Sequence, residues 1–188
     1  MISKNLVLVS QSPRRRELMS LLRVPFKTAS PVGDEILDAS VSVYEQIECI
    51  ARDKALSVLP DYKDSVLVGA DTVIVFNGEI LGKPKDEADA IRMLTLLSNQ
   101  THEVITGVCI ATKDQQEVFS VKSKVKFYPL TEAEILDYVA TKEPLDRAGA
   151  YSIQGGAALF IEHVDGDHFA IMGLPIGRVY QSLMKKEW

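Results

Sequence analysis

The stretch Leu6 to Leu22, Leu-Val-Leu-Val-Ser-Gln-Ser-Pro-Arg-Arg-Arg-Glu-Leu-Met-Ser-Leu-Leu, constrains the fold more than any other. Leu6 to Val9 is a short apolar run suited to a buried strand. Leu18, Leu21 and Leu22 recur at helical spacing, so the period changes at the polar residues between and a strand runs into a helix. Ser12 is the expected N-cap and Pro13 the first helical residue, where a missing N–H costs nothing. Arg14 and Arg15 then fall in the first turn, at the positive end of the helix dipole, where guanidinium groups are poorly placed unless an anion sits among them. Two readings stand at this point: a phosphate site, or a capped helix with solvated arginines.

The 188 residues suffice for a proper core and read as one domain over 1-188, or one domain with two lobes. A formal net charge of -5 argues against a nucleic-acid or anionic-membrane partner, since both select diffuse positive charge. Any anion site must be local. Cys49 and Cys109 form neither a disulfide framework nor a metal-ligand pattern, and the first residues lack the apolar run of a signal peptide. A cytoplasmic protein is expected, and a homodimer is left open.

Arg23 to Ile36 reads as a strand and then a loop ending at Asp34 and Glu35. Ser42 to Glu45 is a capping-box pattern that opens a helix to about Leu59, with Ile47, Ile50, Ala51 and Val58 on its apolar stripe. Lys54 falls on that stripe, either snorkelling from its edge or pointing at something negative. Val66 to Phe76 is an apolar run broken by Gly69, Asp71 and Thr72. Asn77-Gly78 marks a hairpin with Glu79 to Leu81 returning, Phe76 opposite Glu79 and Thr72 opposite Lys83. Asp86 to Leu97 reads as an amphipathic helix and Val104 to Thr112 as a strand. Glu117 to Phe127 alternates, setting Lys122, Lys124 and Lys126 on a solvated face. Thr131 to Glu134 opens a helix through about Val139, and Pro144 to Gly156 is a Gly-rich loop. Ala157 to Val164, Asp165-Gly166 and His168 to Met172 suggest a second hairpin. A last helix would bury Ile176, Val179, Tyr180 and Leu183. Strands and helices mix without strict alternation, which fits an α/β protein with a mixed central sheet and flanking helices.

Ser10, Arg14, Arg15, Glu35, Lys54, Asp71 and Lys83 lie at strand ends, in loops or on an otherwise apolar helix face, positions that can converge. Cations with two carboxylates suit phosphoryl chemistry: the cations neutralise phosphate oxygens and a leaving pyrophosphate. The carboxylates can hold Mg2+, and one can take a proton from an attacking water. Asp71, interrupting an apolar strand, suits the last role; a buried, hydrogen-bonded aspartate is the plainer alternative. Gly78 to Lys83 imitates a P-loop but is one residue short and sits on a hairpin. His102, His163 and His168 have no metal-ligand spacing and read as surface or structural residues.

Ser-Gln-Ser-Pro-Arg-Arg at Ser10 to Arg15, Gly-Ala-Asp-Thr at Gly69 to Thr72, Leu-Gly-Lys-Pro at Leu81 to Pro84 and Gly-Leu-Pro at Gly173 to Pro175 occur in order over nearly the whole chain. In these the sequence resembles the Maf family of nucleoside triphosphate pyrophosphatases. The resemblance implies a fold like that of the inosine triphosphate pyrophosphatases, with two lobes around a deep cleft. It also implies hydrolysis between the α- and β-phosphates with a divalent cation, Mg2+ or Mn2+. By position, Asp71 matches the general base, and Glu35 with Asp71 the metal-associated acids. Ser10, Arg14, Arg15, Lys54 and Lys83 match the phosphate-binding set, which favours the phosphate reading of the opening stretch.

The loop Asp146 to Gly155, Asp-Arg-Ala-Gly-Ala-Tyr-Ser-Ile-Gln-Gly, looks like that of the branch acting on dTTP and UTP, with Arg14, Thr72 and Gln154 at the positions linked to base specificity. A glutamine amide offers an acceptor and a donor in one plane, as the N3–H and a carbonyl of uracil or thymine require. Phe169 to Met172 departs from the asparagine and valine more usual before Gly-Leu-Pro. The expected partner is a nucleoside triphosphate. The alternatives are the family branch that hydrolyses N7-methyl-GTP and a nucleotide-binding regulator of septum formation that needs no turnover.

Overall fold

The computed structural model describes residues 5–33 and 41–188. Asp34 and Glu35, the expected loop end and second metal-associated acid, lie outside the described residues. The elements run β1 (Asn5–Val9), α1 (Pro13–Ser20), β2 (Phe26–Ala29), α2 (Val43–Leu56), β3 (Ser65–Phe76), β4 (Glu79–Leu81), α3 (Glu87–Leu97), β5 (Thr101–Ala111), β6 (Gln116–Phe127), α4 (Glu132–Ala140), β7 (Ile161–Asp165), α5 (His168–Met172) and α6 (Ile176–Lys185). The strands form a mixed sheet in the order β2-β1-β3-β5-β6-β7, with β4 pairing to β3. β1 runs parallel to β2 and β3, whereas β4 is antiparallel to β3 and β7 to β6. This is the mixed α/β fold with flanking helices that strands and helices mixing without strict alternation imply.

The chain divides into two compact units: residues 1–71, 106–121 and 173–188 in the first, and 72–105 and 122–172 in the second. In the first unit Leu6, Val7, Leu8 and Val9 are all buried, so both faces of β1 are covered, as a parallel strand requires. Val7 and Val9 of β1, Leu67 of β3, and Cys109 and Ala111 of β5 pack against Ala51, Ala55 and Val58 of the α2 region. α1 buries Leu18 and Met19. Leu21, expected on its apolar face, is exposed because the helix stops at Ser20. α6 buries Ile176, Val179 and Leu183, but Tyr180 stands exposed, a correction to its expected burial.

The second unit is built around Phe127, whose ring meets His102 and Tyr151 edge-on at centroid distances of 5.1 and 4.9 Å. Phe160 and Tyr138 extend the cluster. α3 and α4 contact each other, with Ala90, Met93, Leu94 and Leu97 of one and Ile135, Tyr138 and Val139 of the other buried. The Asn77-Gly78 turn has φ of 51° and 83°, and Phe76 pairs with Glu79 as expected. The ladder stops at Ile74 and Leu81, so Thr72 is not paired with Lys83. The second expected hairpin does not form. β7 pairs with β6, and His168–Met172 is helical because the Asp167 carboxylate accepts the N–H groups of Phe169 and Ala170, at 2.8 and 3.2 Å. That side-chain cap competes with extension into a strand and wins.

Candidate functional site

In the first unit the register of β1 on β3 sets Val9 beside Gly69. Ser10 follows β1 at its carboxyl end, the place where open α/β sheets present ligand-binding residues, and Asp71 lies two residues past Gly69 within β3, beyond the last residue paired with β1. α2 crosses close above. A Cβ on Gly69 would lie 2.6 Å from the Ala51 carbonyl oxygen and 2.8 Å from the Ala55 nitrogen, so the helix backbone rests on the strand there. Side chains two residues apart on a strand share a face, and Asp71 therefore points to the side that α2 covers. Lys54, one turn-mate of Ala51 and Ala55, donates from Nζ to Asp71 Oδ1 at 2.6 Å. The two side chains are only 14% and 13% exposed. Lys54 thus does not snorkel to water; the negative partner it meets is the candidate base itself.

The β1–α1 junction forms as its sequence dictates. Ser12 caps the helix, accepting the Arg15 N–H, and Pro13 opens it. Ser10 is 6% exposed and its Oγ accepts the Ser12 N–H at 3.1 Å. A hydroxyl that accepts still carries a proton to donate, so Ser10 keeps a donor suited to an anion. Arg14 and Arg15 are half-buried, Arg16 exposed. Arg15 Nε donates to the Gly173 carbonyl at 2.8 Å, which ties the Gly173-Leu174-Pro175 motif to α1. That partnership was not legible in the sequence; 158 residues separate donor and acceptor. The structure therefore brings Lys54 to Asp71 directly and sets Ser10, Arg14 and Arg15 at the junction following β1.

In the second unit Thr72 is half-buried in β3, and Lys83 lies beyond the end of β4. Lys83 pairs with Asp146, both side chains being largely exposed at 65% and 77%. Asp146 entered the sequence argument only as the start of a specificity loop, and no spacing signal marks it as a partner for Lys83. The loop itself folds into short 3-10 turns at Glu143–Asp146, Ala148–Ala150 and Gly156–Phe160. Gly149 N–H donates to the Gly82 carbonyl at 2.9 Å, holding the loop to the β3–β4 hairpin. Residues 149–153 are buried, and Gln154 is exposed at the turn that follows. His102 anchors the run through Nε2 to the Tyr151 hydroxyl at 2.7 Å, and burial holds its imidazole down at about 4. His163 and His168 are exposed. The histidines are thus structural or superficial.

Among the described residues no group of three or more His, Cys, Asp or Glu side chains could hold a metal ion. Asp71 offers a hard carboxylate, one oxygen of which Lys54 engages. This donor set fits Mg2+ or Mn2+ bound through one or two carboxylates and completed by water and phosphate, the usual arrangement for nucleotide-bound Mg2+. It does not fit an all-protein cage or a thiolate-imidazole site.

Comparison with known proteins agrees with the motifs. The Maf-like protein family matches residues 5–186. A dTTP/UTP pyrophosphatase of Bacillus velezensis is 44% identical over 97% of this chain and 96% of its own. One of a Geobacillus species is 44% identical over 98% of this chain and 100% of its own. The Staphylococcus aureus Ham1 protein structure superposes on 66% of this chain and 72% of its own, with a TM-score of 0.48 and 15% identity. With the family match and the relatives both running almost end to end through the residues described above, the chain belongs to the Maf-like protein family.

Proposed function

We propose that the protein is a nucleoside triphosphate pyrophosphatase that hydrolyses dTTP and UTP to the monophosphate and pyrophosphate. The observation that carries the chemistry is the enclosed Lys54–Asp71 pair on β3, just past its parallel ladder with β1. The substrate follows the relatives, which bear the name dTTP/UTP pyrophosphatase at 44% identity. In this reading Asp71 takes a proton from water through the carboxylate oxygen that Lys54 does not hold. The water oxygen bonds to the α-phosphorus as the bond to the α,β-bridging oxygen breaks, and pyrophosphate leaves. Lys54 orients Asp71 through its Nζ–H to Oδ1.

Ser10, Arg14, Arg15 and Lys83 bind phosphate oxygens, and negative charge developing on the pyrophosphate is met by the three cations among them. Arg15 is oriented for this by the Gly173 carbonyl. Lys83 would exchange Asp146 for substrate. Arg14, Thr72 and Gln154 select the base, Gln154 pairing with the N3–H and a carbonyl of the pyrimidine. A divalent cation bound by Asp71 and Glu35 would supply further neutralisation of the phosphates.

Asp71→Asn keeps the size of the side chain and removes the proton acceptor. Its kcat for UTP is expected to fall by about 10²–10⁴, the usual contribution of a general base, with nucleotide still bound in an equilibrium assay. Turnover near the wild-type rate would remove Asp71 from the role given it here.

A further inference from the structure

The polypeptide around Gln154 is held from three sides by groups that no role above includes. On its amino side Tyr151 is fixed by His102. Across it, Gly155 N–H donates to the Ser152 carbonyl at 3.1 Å and closes the turn whose tip is Ile153-Gln154. On its carboxyl side the Gly156 N–H donates to Glu143 Oε2 at 3.0 Å. The Glu143 carboxylate is seated against the turn, for a Cβ on Gly155 would fall 1.6 Å from Oε1. Gly156 is exposed but lies against the Tyr138 ring, which a Cβ there would meet at 3.2 Å.

Glu143 is itself anchored. Its N–H donates to Thr141 Oγ1 at 3.3 Å, that hydroxyl donates to the Tyr138 carbonyl at 2.6 Å, and the following Pro144 is buried. The hold therefore runs from the end of α4 through Glu143 to the two glycines after Gln154. A base-reading amide must be fixed in direction to discriminate one edge pattern from another, and an exposed glutamine on an unsupported turn would spend its bonds on water.

From the Gly156 hydrogen bond and the carboxylate seated on Gly155 we infer that Glu143 is a positioning residue for base selection, holding the turn that presents Gln154. The inference rests on the reading of Gln154 as the residue that pairs with the pyrimidine.

The test is steady-state hydrolysis of UTP and GTP, taken as the ratio of their kcat/KM values. Glu143→Ala should lower that ratio about tenfold, the worth of roughly one well-placed hydrogen bond, by raising KM for UTP with kcat retained. Glu143→Gln, whose carbonyl can still accept the Gly156 N–H, should restore most of it. Combining Glu143→Ala with Gln154→Ala should cost no more than Gln154→Ala alone. Should the alanine variant not fold, Gly155→Ala carries the same expectation, since its methyl displaces the carboxylate. An unchanged ratio in the Glu143 variants, or equal losses for UTP and GTP, overturns the inference while Gln154→Ala lowers the ratio. If Gln154→Ala itself leaves the ratio unchanged, the reading of Gln154 fails first and this inference with it.

Discussion

Lys54 and Asp71 are 17 residues apart and neither has a sequence neighbour that names the other, yet their side chains meet at 2.6 Å and are largely enclosed. What the sequence does disclose is anomaly: a lysine on an apolar helical stripe and an aspartate in an apolar strand. Two such anomalies satisfy each other when folded, because enclosed charge is tolerated only when paired. The same physics keeps His102 neutral. Its Nδ1 has no hydrogen-bond partner among the described residues, and burial lowers it from 6.5 to about 4. As pH falls through 6.5 the unfolded imidazole takes a proton that the folded one refuses until about 4, so the unfolded state binds more protons and stability declines across that window. The decline due to this group is about 3 kcal/mol at full extent. His102→Gln, whose amide can meet the Tyr151 hydroxyl without titrating, is expected to flatten the fall of Tm between pH 6.5 and 4.5 measured by calorimetry. Parallel Tm profiles for the two proteins would show that His102 carries none of the acid sensitivity.

The elements were legible where local chemistry decides them. Ser42 with Glu45 and Thr131 with Glu134 both form reciprocal capping boxes, and Ser12 caps the helix that holds Arg14 and Arg15. The Asn77-Gly78 turn fixed the register of Phe76 on Glu79 correctly. Legibility ended where a distant segment competes with the local pattern. Asp165-Gly166 reads as a hairpin turn, but Asp167 caps a helix, and its backbone is clasped by Ser123 of β6, 44 residues away. The packing of α2 on β3 was equally hidden, because a glycine in a strand announces close approach without saying of what. Gly69→Ala tests that packing. The added methyl must push α2 away at Ala51 and Ala55, costing about 1–3 kcal/mol, or about 2–4 °C in Tm for each kcal/mol in a chain of this size. UTP turnover should fall further than stability explains, because Lys54 moves with the helix. A variant with wild-type Tm and turnover would show that α2 does not lean on the strand at this point.

At the scale of the molecule, a net charge of -5 leaves a highly anionic substrate only local cations to bind, and the proposed function gives that part to Arg14, Arg15 and Lys54. The order of the motifs along the chain disclosed the fold and the family together, since residues far apart in sequence are meaningful only as a set. Glu143 and Asp146 escaped that set because their partners, Gly156 and Lys83, are defined by folding. No helix among the described residues is long and apolar enough to cross a membrane. Product analysis reads the proposed reaction directly. With Mg2+ and a panel of dTTP, UTP and N7-methyl-GTP, UMP and dTMP are expected in equal amount with pyrophosphate, with little turnover of the methylated purine. Release of UDP with inorganic phosphate, or of pyrophosphate from N7-methyl-GTP but not from UTP, would contradict it.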